Sequence, residues 1–135
     1  MTTDEQPIPE PDRPQLSEVL PELADELTRL LRDTGESELA NVIGCQRFHG
    51  WCCCTDDFCQ SFRTAPEPNG PYGYGHRNIP LHPEQGMIVI DVVHDAVMYV
   101  EVLFRPEVPA AFRTRPSSAP LSRTREARLS RYTRP

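Results

Sequence analysis

The sequence contains no lysine and no long uninterrupted apolar run. All fourteen basic side chains are arginine, and the longest apolar stretch, residues 87–104, is interrupted by Asp91, His94, Asp95 and Glu101. A helix that spans a bilayer needs about 20 mostly apolar residues, so the sequence predicts no membrane span. The first residues also lack the basic and apolar regions of a secretory signal peptide. We therefore expect a cytoplasmic protein, in which cysteines stay reduced.

Internal repeats are absent as well, which excludes solenoid and propeller architectures. Fifteen prolines and a mean hydropathy of -0.52 indicate that part of the chain stays outside a hydrophobic core. Residues 1–15 are acidic and rich in proline, residues 111–135 are rich in arginine, and neither segment has a helical or strand period. The sequence therefore predicts a disordered leader over 1–15, one α+β domain over 16–110 and a disordered tail over 111–135.

The charge is distributed unevenly along the chain. Residues 1–110 carry nineteen acidic side chains against seven arginines, a net charge of -12, whereas residues 111–135 carry seven arginines and only Glu126, a net charge of +6. An acidic body repels nucleic-acid phosphates and anionic lipid headgroups. We expect nucleic acid or an anionic surface to bind only through the tail, and another protein to be the partner of the body.

An apolar stripe predicts an N-terminal helix. Leucine and valine recur at intervals of three and four residues, at Leu16, Val19, Leu20, Leu23, Leu27, Leu30 and Leu31. Pro21 fits the first turn of this helix, Ser17 is the candidate N-cap, and Gly35 ends the helix. A second, shorter helix is predicted over residues 36–42.

Alternating residues predict two β-hairpins after the helices. The first hairpin pairs residues 45–52 with residues 58–64 across the polar loop 53–57. The second pairs residues 87–93 with residues 96–104 across a two-residue turn. The fold we expect is α+β, with one or two helices packed on a four-stranded antiparallel sheet.

The register of the second hairpin follows from its turn. If Val93 pairs with Ala96, then Asp91 lies opposite Met98, and Asp91 and Glu101 point to opposite faces of the sheet. A carboxylate pair for acid–base catalysis is therefore not expected with this turn. A three-residue turn would reverse the parity and put both carboxylates on one face. No other spacing predicts a catalytic residue, so the sequence favours a protein that is not an enzyme.

A loop rich in glycine and proline is predicted over residues 65–78. Loops of this length inside compact domains are usually functional or disordered. Its Tyr72, Tyr74 and His76 are the candidate binding residues. The alternative is that the tyrosines pack onto the edge of the sheet.

Four of the five cysteines lie at the tip of the first hairpin, at Cys52, Cys53, Cys54 and Cys59. Strand alternation sends Cys52 and Cys54 to one side of the sheet and Cys53 to the other. Cys59 returns along the second strand to meet Cys52 and Cys54. Three converging thiolates are three of the four ligands of a tetrahedral zinc site.

A histidine would complete this site, with His49 as the candidate and His76 or His82 as alternatives. The spacing C-x-C-x4-C is less specific for zinc than paired C-x2-C motifs. Two other interpretations stay open. The thiols fill tight space in a buried sheet, or they act in redox or nucleophilic chemistry, which the neighbouring Asp56 and Asp57 disfavour.

Two segments resemble a group of small uncharacterised proteins from actinobacteria and related bacteria. The first is the cysteine hairpin CCCTDDFCQSFRTA, residues 52–65, and the second is the hairpin formed by GMIVIDVV, residues 86–93, and EVLFRPE, residues 101–107. The likeness covers about residues 20–110. It departs where Thr55 replaces the usual glycine and where Cys53 adds a thiol. The resemblance implies a recurring domain and no particular activity.

Three classes of function follow from these features. The first is a non-enzymatic protein-interaction module, of accessory or immunity type, in a bacterial cytosol. The second is a small zinc-binding domain with a structural or regulatory cysteine cluster, for which the candidate ligands are Cys52, Cys54, Cys59 and His49. The third is an enzyme of unknown class.

Overall fold

The computed structural model of the protein describes residues 12–114. Within this range the predicted α+β class is confirmed, with four α-helices and one five-stranded antiparallel sheet. The predicted disorder at 1–11 and 115–135 lies outside the described residues. No helix within 12–114 has the length and apolar character needed to cross a membrane.

The N-terminal apolar stripe forms two helices instead of one. Helix α1 spans Leu16–Val19 and helix α2 spans Pro21–Asp33. Leu20 separates them because its φ of -136° and ψ of 62° are not helical. Pro21 lies in the first turn of α2, as predicted, where its missing N–H leaves no hydrogen bond unmade.

The predicted N-cap Ser17 is wrong. The backbone N–H of Gln15 donates a hydrogen bond to the Glu18 carboxylate at 2.9 Å, and the Glu18 N–H returns one to the Gln15 carbonyl at 2.9 Å. This capping arrangement starts α1 at Leu16 and leaves Ser17 inside the helix.

The second predicted helix is confirmed as α3, Ser37–Val42. A 3₁₀ turn over Ile43–Cys45 follows it directly. Leu39, Ala40 and Ile43 are buried, so this segment adds to the same core as α2.

The sheet has five strands where the sequence predicted four. They are β1 Gly50–Trp51, β2 Phe62–Arg63, β3 His76–Leu81, β4 Met87–Val93 and β5 Ala96–Leu103. Their order across the sheet is β1-β2-β5-β4-β3. A fourth helix, α4, spans Glu107–Ala110 after the last strand.

Strand β3 is the strand that the sequence analysis missed, because part of it lies in the predicted loop 65–78. Ile79 and Leu81 are buried while Asn78 and Pro80 are exposed, which is the alternation of a strand with one covered face. Proline is compatible with this strand because β3 lies at the edge of the sheet.

The first hairpin is much shorter than predicted. Only Gly50–Trp51 and Phe62–Arg63 pair, and Cys45 lies in the 3₁₀ turn instead of a strand. The ten residues between β1 and β2 therefore form a loop, 52–61, which carries the cysteines.

The second hairpin follows the predicted register only near its turn. Val93 pairs with Ala96, and the turn residues both have positive φ, as a two-residue hairpin turn requires. A bulge then shifts the register, so that Asp91 pairs with Tyr99 and not with the predicted Met98. One extra residue in a strand shifts every pair beyond the bulge by one position, so each residue of that strand faces the side opposite to the predicted one.

The bulge also overturns the prediction that Asp91 and Glu101 point to opposite faces. Val89 pairs with Glu101, so the two carboxylates lie on the same face of the sheet. Asp91 accepts hydrogen bonds there from His76, at 3.2 Å, and from Asn78. Asp91 thus links β4 to the edge strand β3.

The hydrophobic core lies between the helices and the inner face of the sheet. Its fully buried side chains come from both layers and include Leu16, Leu20, Leu27, Leu31, Ile43, Phe62, Ile88, Ile90, Val92, Val100 and Val102. A cluster of aromatic rings closes one end of this core. Phe48 lies 4.8 Å from Phe112 and 5.1 Å from Trp51, measured between ring centroids.

The fold extends past the predicted domain bounds of 16 and 110. At the N-terminal side the Phe48 N–H donates to the Pro14 carbonyl at 2.8 Å. At the C-terminal side the Arg113 N–H donates to the Val19 carbonyl at 2.7 Å. Residues 12–15 and 111–114 therefore belong to the folded unit.

Candidate metal centre

The loop 52–61 brings three cysteine side chains together. The Cys52 N–H donates to the Ser61 carbonyl at 2.8 Å, which closes the base of the loop, and Cys59 forms an isolated bridge with Leu103 of β5. The sulfur atoms of Cys52, Cys54 and Cys59 all lie within 4.8 Å of one another. The predicted convergence of these thiols is confirmed.

Hydrogen bonds fix the sulfur atoms against the sheet. The Cys54 N–H donates to the Cys52 sulfur at 3.4 Å, and the Cys59 thiol donates to the Ser61 hydroxyl at 3.3 Å. Ser61 is buried and in turn accepts a hydrogen bond from the Val102 N–H at 2.9 Å. The position of Cys59 is thus tied to the centre of the sheet.

The tip of the loop is held by its own polar groups. The Cys59 backbone N–H donates to the Asp56 carbonyl at 3.2 Å, and the side-chain amide of Gln60 donates to the Asp57 carbonyl at 3.1 Å. The Gln60 side-chain oxygen accepts the Arg105 N–H at 2.8 Å. These bonds connect the cysteine loop to the end of β5.

The interpretation that the cysteines fill space in a buried sheet is wrong. Cys54 is exposed, Cys52 and Cys59 are partly exposed, and none of the five thiols is buried. Cys45 and Cys53 are exposed too, and they lie outside the three-thiol group. Three sulfur atoms therefore lie close together where solvent reaches them, so filling of the core does not explain their proximity.

Tyr99 makes the environment of Cys52 favourable for a thiolate. The Tyr99 hydroxyl donates a hydrogen bond to the Cys52 sulfur, and this bond outweighs partial burial and lowers the pKa of the Cys52 thiol. Burial, and then the same hydrogen bond, raises the pKa of the Tyr99 hydroxyl. Tyr99 therefore stays a neutral donor while Cys52 ionises.

Cys54 is shifted in the opposite direction. A hydrogen bond from the Asp56 backbone lowers the pKa of the Cys54 thiol, but its interactions with Cys59 and Cys52 outweigh that bond and raise the pKa to about 11. Three thiolates in one place repel one another. The positive charge of a bound divalent cation offsets this repulsion, so the thiols lose their protons when they bind the metal.

The spacing of the sulfur atoms suits a tetrahedral metal ion. With metal–sulfur distances of about 2.3 Å, the ligand sulfurs of a tetrahedral zinc site lie about 3.8 Å apart. The observed separations are at most 4.8 Å. Small rotations of exposed or partly exposed side chains in a loop bridge that difference.

The predicted fourth ligand, His49, is not part of this group. It lines a pocket beside β1 together with Arg13 and Trp51. Of the alternatives, His76 hydrogen-bonds to Asp91, and His82 is exposed after β3. Within 12–114 the group thus consists of three cysteines without a histidine.

The predicted binding residues are only partly brought together. Tyr72 accepts a hydrogen bond from the Arg63 guanidinium at 3.2 Å, and its ring lies 4.6 Å from that of His76. Tyr74 is 91% exposed and lies 6.1 Å from the His94 ring. Tyr72 and His76 therefore form one surface, from which Tyr74 is separate.

Tyr99 is the residue beside the cysteine group that sequence reasoning missed. Its phenol reaches the cysteine loop because β5 pairs with β2, next to that loop. The Arg63 guanidinium lies 4.7 Å over the Tyr99 ring, on the outer face of the sheet. The bulge that sets this register leaves no mark in the hydrophobic pattern.

Comparisons with protein-family models, curated proteins and solved structures gave no match for this chain. The site is therefore characterised by its own geometry.

Proposed function

We propose that this protein is a zinc-binding domain whose metal ligands are Cys52, Cys54 and Cys59. The observation that carries the proposal is the approach of the three sulfur atoms to within 4.8 Å of one another. Soft thiolate ligands favour zinc or copper(I), while magnesium and calcium prefer oxygen. Zinc suits the site because three thiolates and one further ligand make a tetrahedron.

The fourth ligand of the zinc ion is neither a cysteine nor a histidine of this chain. No histidine of residues 12–114 joins the group, and the segments 1–11 and 115–135 contain neither cysteine nor histidine. The exposed Cys54 leaves that side of the site open. Water occupies such an open position until another ligand replaces it.

The role we assign to the zinc ion is structural and regulatory. The strands that flank loop 52–61 pair over only two residues each, so the loop has little sheet structure to hold it. A metal ion that joins Cys52 to Cys59 closes the loop by a strong crosslink. An exchangeable fourth ligand then makes the loop responsive to a thiol or a partner side chain. A bacterial cytoplasm, where thiols stay reduced, is the compartment that this role requires.

Metal analysis of single variants tests this proposal. Protein purified without a histidine tag is expected to hold about one zinc ion per chain, as a single tetrahedral site does. Replacing Cys52, Cys54 or Cys59 by serine should reduce the zinc content strongly. The matched variants Cys45→Ser and Cys53→Ser also remove an exposed thiol and should keep it. Metal-free wild-type protein, or equal loss in all five variants, would contradict the proposal.

A second candidate function is a protein-interaction module. Phe58 and Phe104 are 43% and 57% exposed, and their rings stack with centroids 5.4 Å apart beside the cysteine loop. Phe104 also has a φ of +60°, a conformation that bulky side chains rarely adopt. Exposed aromatic pairs of this kind are common centres of protein interfaces.

A co-purification experiment distinguishes this second candidate. A stoichiometric partner protein should co-purify with the wild-type chain and not with the double variant Phe58→Ser/Phe104→Ser. The variant Val42→Ser, which removes an exposed apolar side chain on α3, is the control. Failure to obtain a stoichiometric complex at several salt concentrations would count against an interaction module.

A further inference from the structure

A second site lies beside the edge strand β1, and neither the zinc proposal nor its test involves it. It is a pocket of about 320 Å³. Its lining is Arg13, His49, Gly50, Trp51, Arg63, Ala65, Pro66 and Glu67. This volume is at the small end of the range of about 300 to 1,000 Å³ that is usual for small-molecule sites.

The charge of the pocket is opposite to that of the surrounding protein. Residues 1–110 have a net charge of -12, yet the pocket brings two of their seven arginines together with one histidine and one glutamate. Arg13 is held in place because its guanidinium donates to the His49 carbonyl at 3.2 Å. A local concentration of positive charge on an acidic protein favours an anionic ligand at that place.

Arg63 is oriented by neutral groups more than by an acid. Its guanidinium lies 4.7 Å over the Tyr99 ring and donates to the Tyr72 hydroxyl at 3.2 Å. Glu67 is 4.0 Å away, and its side chain is 73% exposed. For comparison, Arg105 contacts Glu26 at 2.8 Å. An exposed carboxylate at such a distance contributes little, so a ligand anion can take its place beside Arg63.

The remaining wall of the pocket is apolar. Trp51, Ala65 and Pro66 line it, and a side chain added at Gly50 would meet open space. The Trp51 ring is anchored from behind by Phe48, at 5.1 Å, and by Phe62, at 5.9 Å. Trp51 pairs with Phe62 and Gly50 pairs with Arg63, so the indole lies on the core side of the sheet and the Arg63 guanidinium on the outer side. The apolar lining next along the chain from Arg63 is Ala65 and Pro66.

The geometry points to a binding site for a small organic oxyanion. Its phosphate or carboxylate group contacts Arg13 and Arg63, and its apolar part lies against Ala65 and Pro66. Guanidinium groups bind both kinds of oxyanion through paired hydrogen bonds. No cysteine lines the pocket, so its ligand does not require the zinc ion. Tyr99 is the residue that lies next to both, since Arg63 packs on its ring and its hydroxyl lowers the pKa of Cys52.

Trp51 is the single tryptophan of the chain, so its fluorescence reports on the pocket directly. The experiment is a titration of the full-length protein with phenyl phosphate and, separately, with benzoate. A saturable change in tryptophan emission is expected with at least one of them. Inorganic phosphate should compete, and uncharged benzyl alcohol should give no saturable change. Comparing the two aromatic anions distinguishes a phosphate ligand from a carboxylate ligand.

Variants connect the signal to the two arginines. Arg13→Gln and Arg63→Gln should each weaken binding by about tenfold or more, because hydrogen bonds to charged groups are the strong ones. Arg29→Gln removes an exposed charge from α2 and should leave the affinity unchanged. Arg63 also packs on Tyr99, so Arg13→Gln keeps the test decisive if the Arg63 variant folds poorly. The absence of saturation with both anions, or equal weakening by Arg29→Gln, would overturn the inference. Repeating the titration on the Cys54→Ser variant should give the same affinity, whatever its zinc content.

Discussion

Hydrogen bonding from the Tyr99 hydroxyl lowers the pKa of the Cys52 thiol. This bond joins the central part of the sheet to the cysteine loop, because Tyr99 lies on β5 and Cys52 directly follows β1. The thiols of Cys52 and Cys54 therefore differ, since the pKa of Cys52 is lowered while that of Cys54 is raised to about 11.

The first prediction concerns the reactivity of these thiols in metal-free protein. At neutral pH the thiol with the lower pKa has the larger thiolate fraction, so Cys52 should be alkylated before Cys54. Tyr99→Phe removes the hydrogen bond, raises the pKa of Cys52 and should slow its alkylation. Mass spectrometry after timed treatment with iodoacetamide measures both rates.

Cys53 provides the control for this measurement because it is exposed and lies outside the group. Its alkylation rate should be the same in wild-type protein and in Tyr99→Phe. If the substitution left the rate at Cys52 unchanged, the hydrogen bond would have no role in its ionisation.

The second prediction concerns the ion pair between Arg105 and Glu26. Arg105 contacts both Glu26 carboxylate oxygens, at 2.8 and 3.1 Å, and the two side chains are only 11% and 19% exposed. Arg105→Gln leaves a poorly solvated carboxylate without its partner, so the free energy of unfolding should fall by about 3 kcal/mol. Urea denaturation at neutral pH measures the change.

The matched variant is Arg113→Gln. It breaks an ion pair with Glu22, which lies on α2 like Glu26. This pair has the same N–O distance of 2.8 Å but is exposed, at 37% and 67%. It should contribute less than about 1 kcal/mol. Equal losses in the two variants would show that burial does not determine the strength of these pairs.

The third prediction concerns Gly86, in the turn between β3 and β4. Its φ is +74°, and an added Cβ would lie 2.5 Å from the Leu103 carbonyl oxygen. Gly73 has a similar φ of +83° but open space around it. Both alanine variants should lose about 1 to 2 kcal/mol from the left-handed backbone. Gly86→Ala should lose at least about 1 kcal/mol more through the backbone overlap. Thermal unfolding of the two variants compares them, and equal stabilities would contradict the close approach at Gly86.

Periodicity in the sequence was sufficient to predict the helical segments within 16–42 and the two strands of the last hairpin. It did not predict α4. The leucine stripe marks α1 and α2 because burial on one face imposes a period of about 3.6 residues. The long apolar runs of β4 and β5 mark a hairpin because their turn, His94-Asp95, interrupts them at one place. The break at Leu20 was not predicted because Pro21 is compatible with one continuous helix as well as with the start of a second.

The missed features depend on tertiary structure. Strand β3 has only Ile79 and Leu81 as buried apolar residues, and Pro80 between them is tolerated only because the strand is at an edge. The bulge near Asp91 shifts every pair beyond it by one residue, while the turn pair Val93–Ala96, from which the register was predicted, stays as expected.

The convergence of the thiols was predictable and the rest of their environment was not. Strand alternation predicted Cys52 and Cys54 on one side with Cys59 returning to them. The three thiols do converge, but on the loop 52–61 and not on paired strands. The sequence does not indicate that the thiols are exposed. The sequence also does not indicate that His49 lies beside Arg13 and Trp51 and away from the thiols. The path of the loop determines both the exposure of the thiols and the position of His49.

The most direct test of the zinc site is to titrate the metal-free protein with cobalt(II), a spectroscopic substitute for zinc. Three thiolates and one further ligand should give the intense visible bands of a tetrahedral site together with sulfur-to-cobalt charge transfer. Both features should end at one equivalent of metal, weaken in Cys52→Ser, Cys54→Ser and Cys59→Ser, and persist in Cys53→Ser. A weak octahedral spectrum without charge transfer, or a Cys53→Ser spectrum as weak as the other three, would contradict a metal site built by these cysteines.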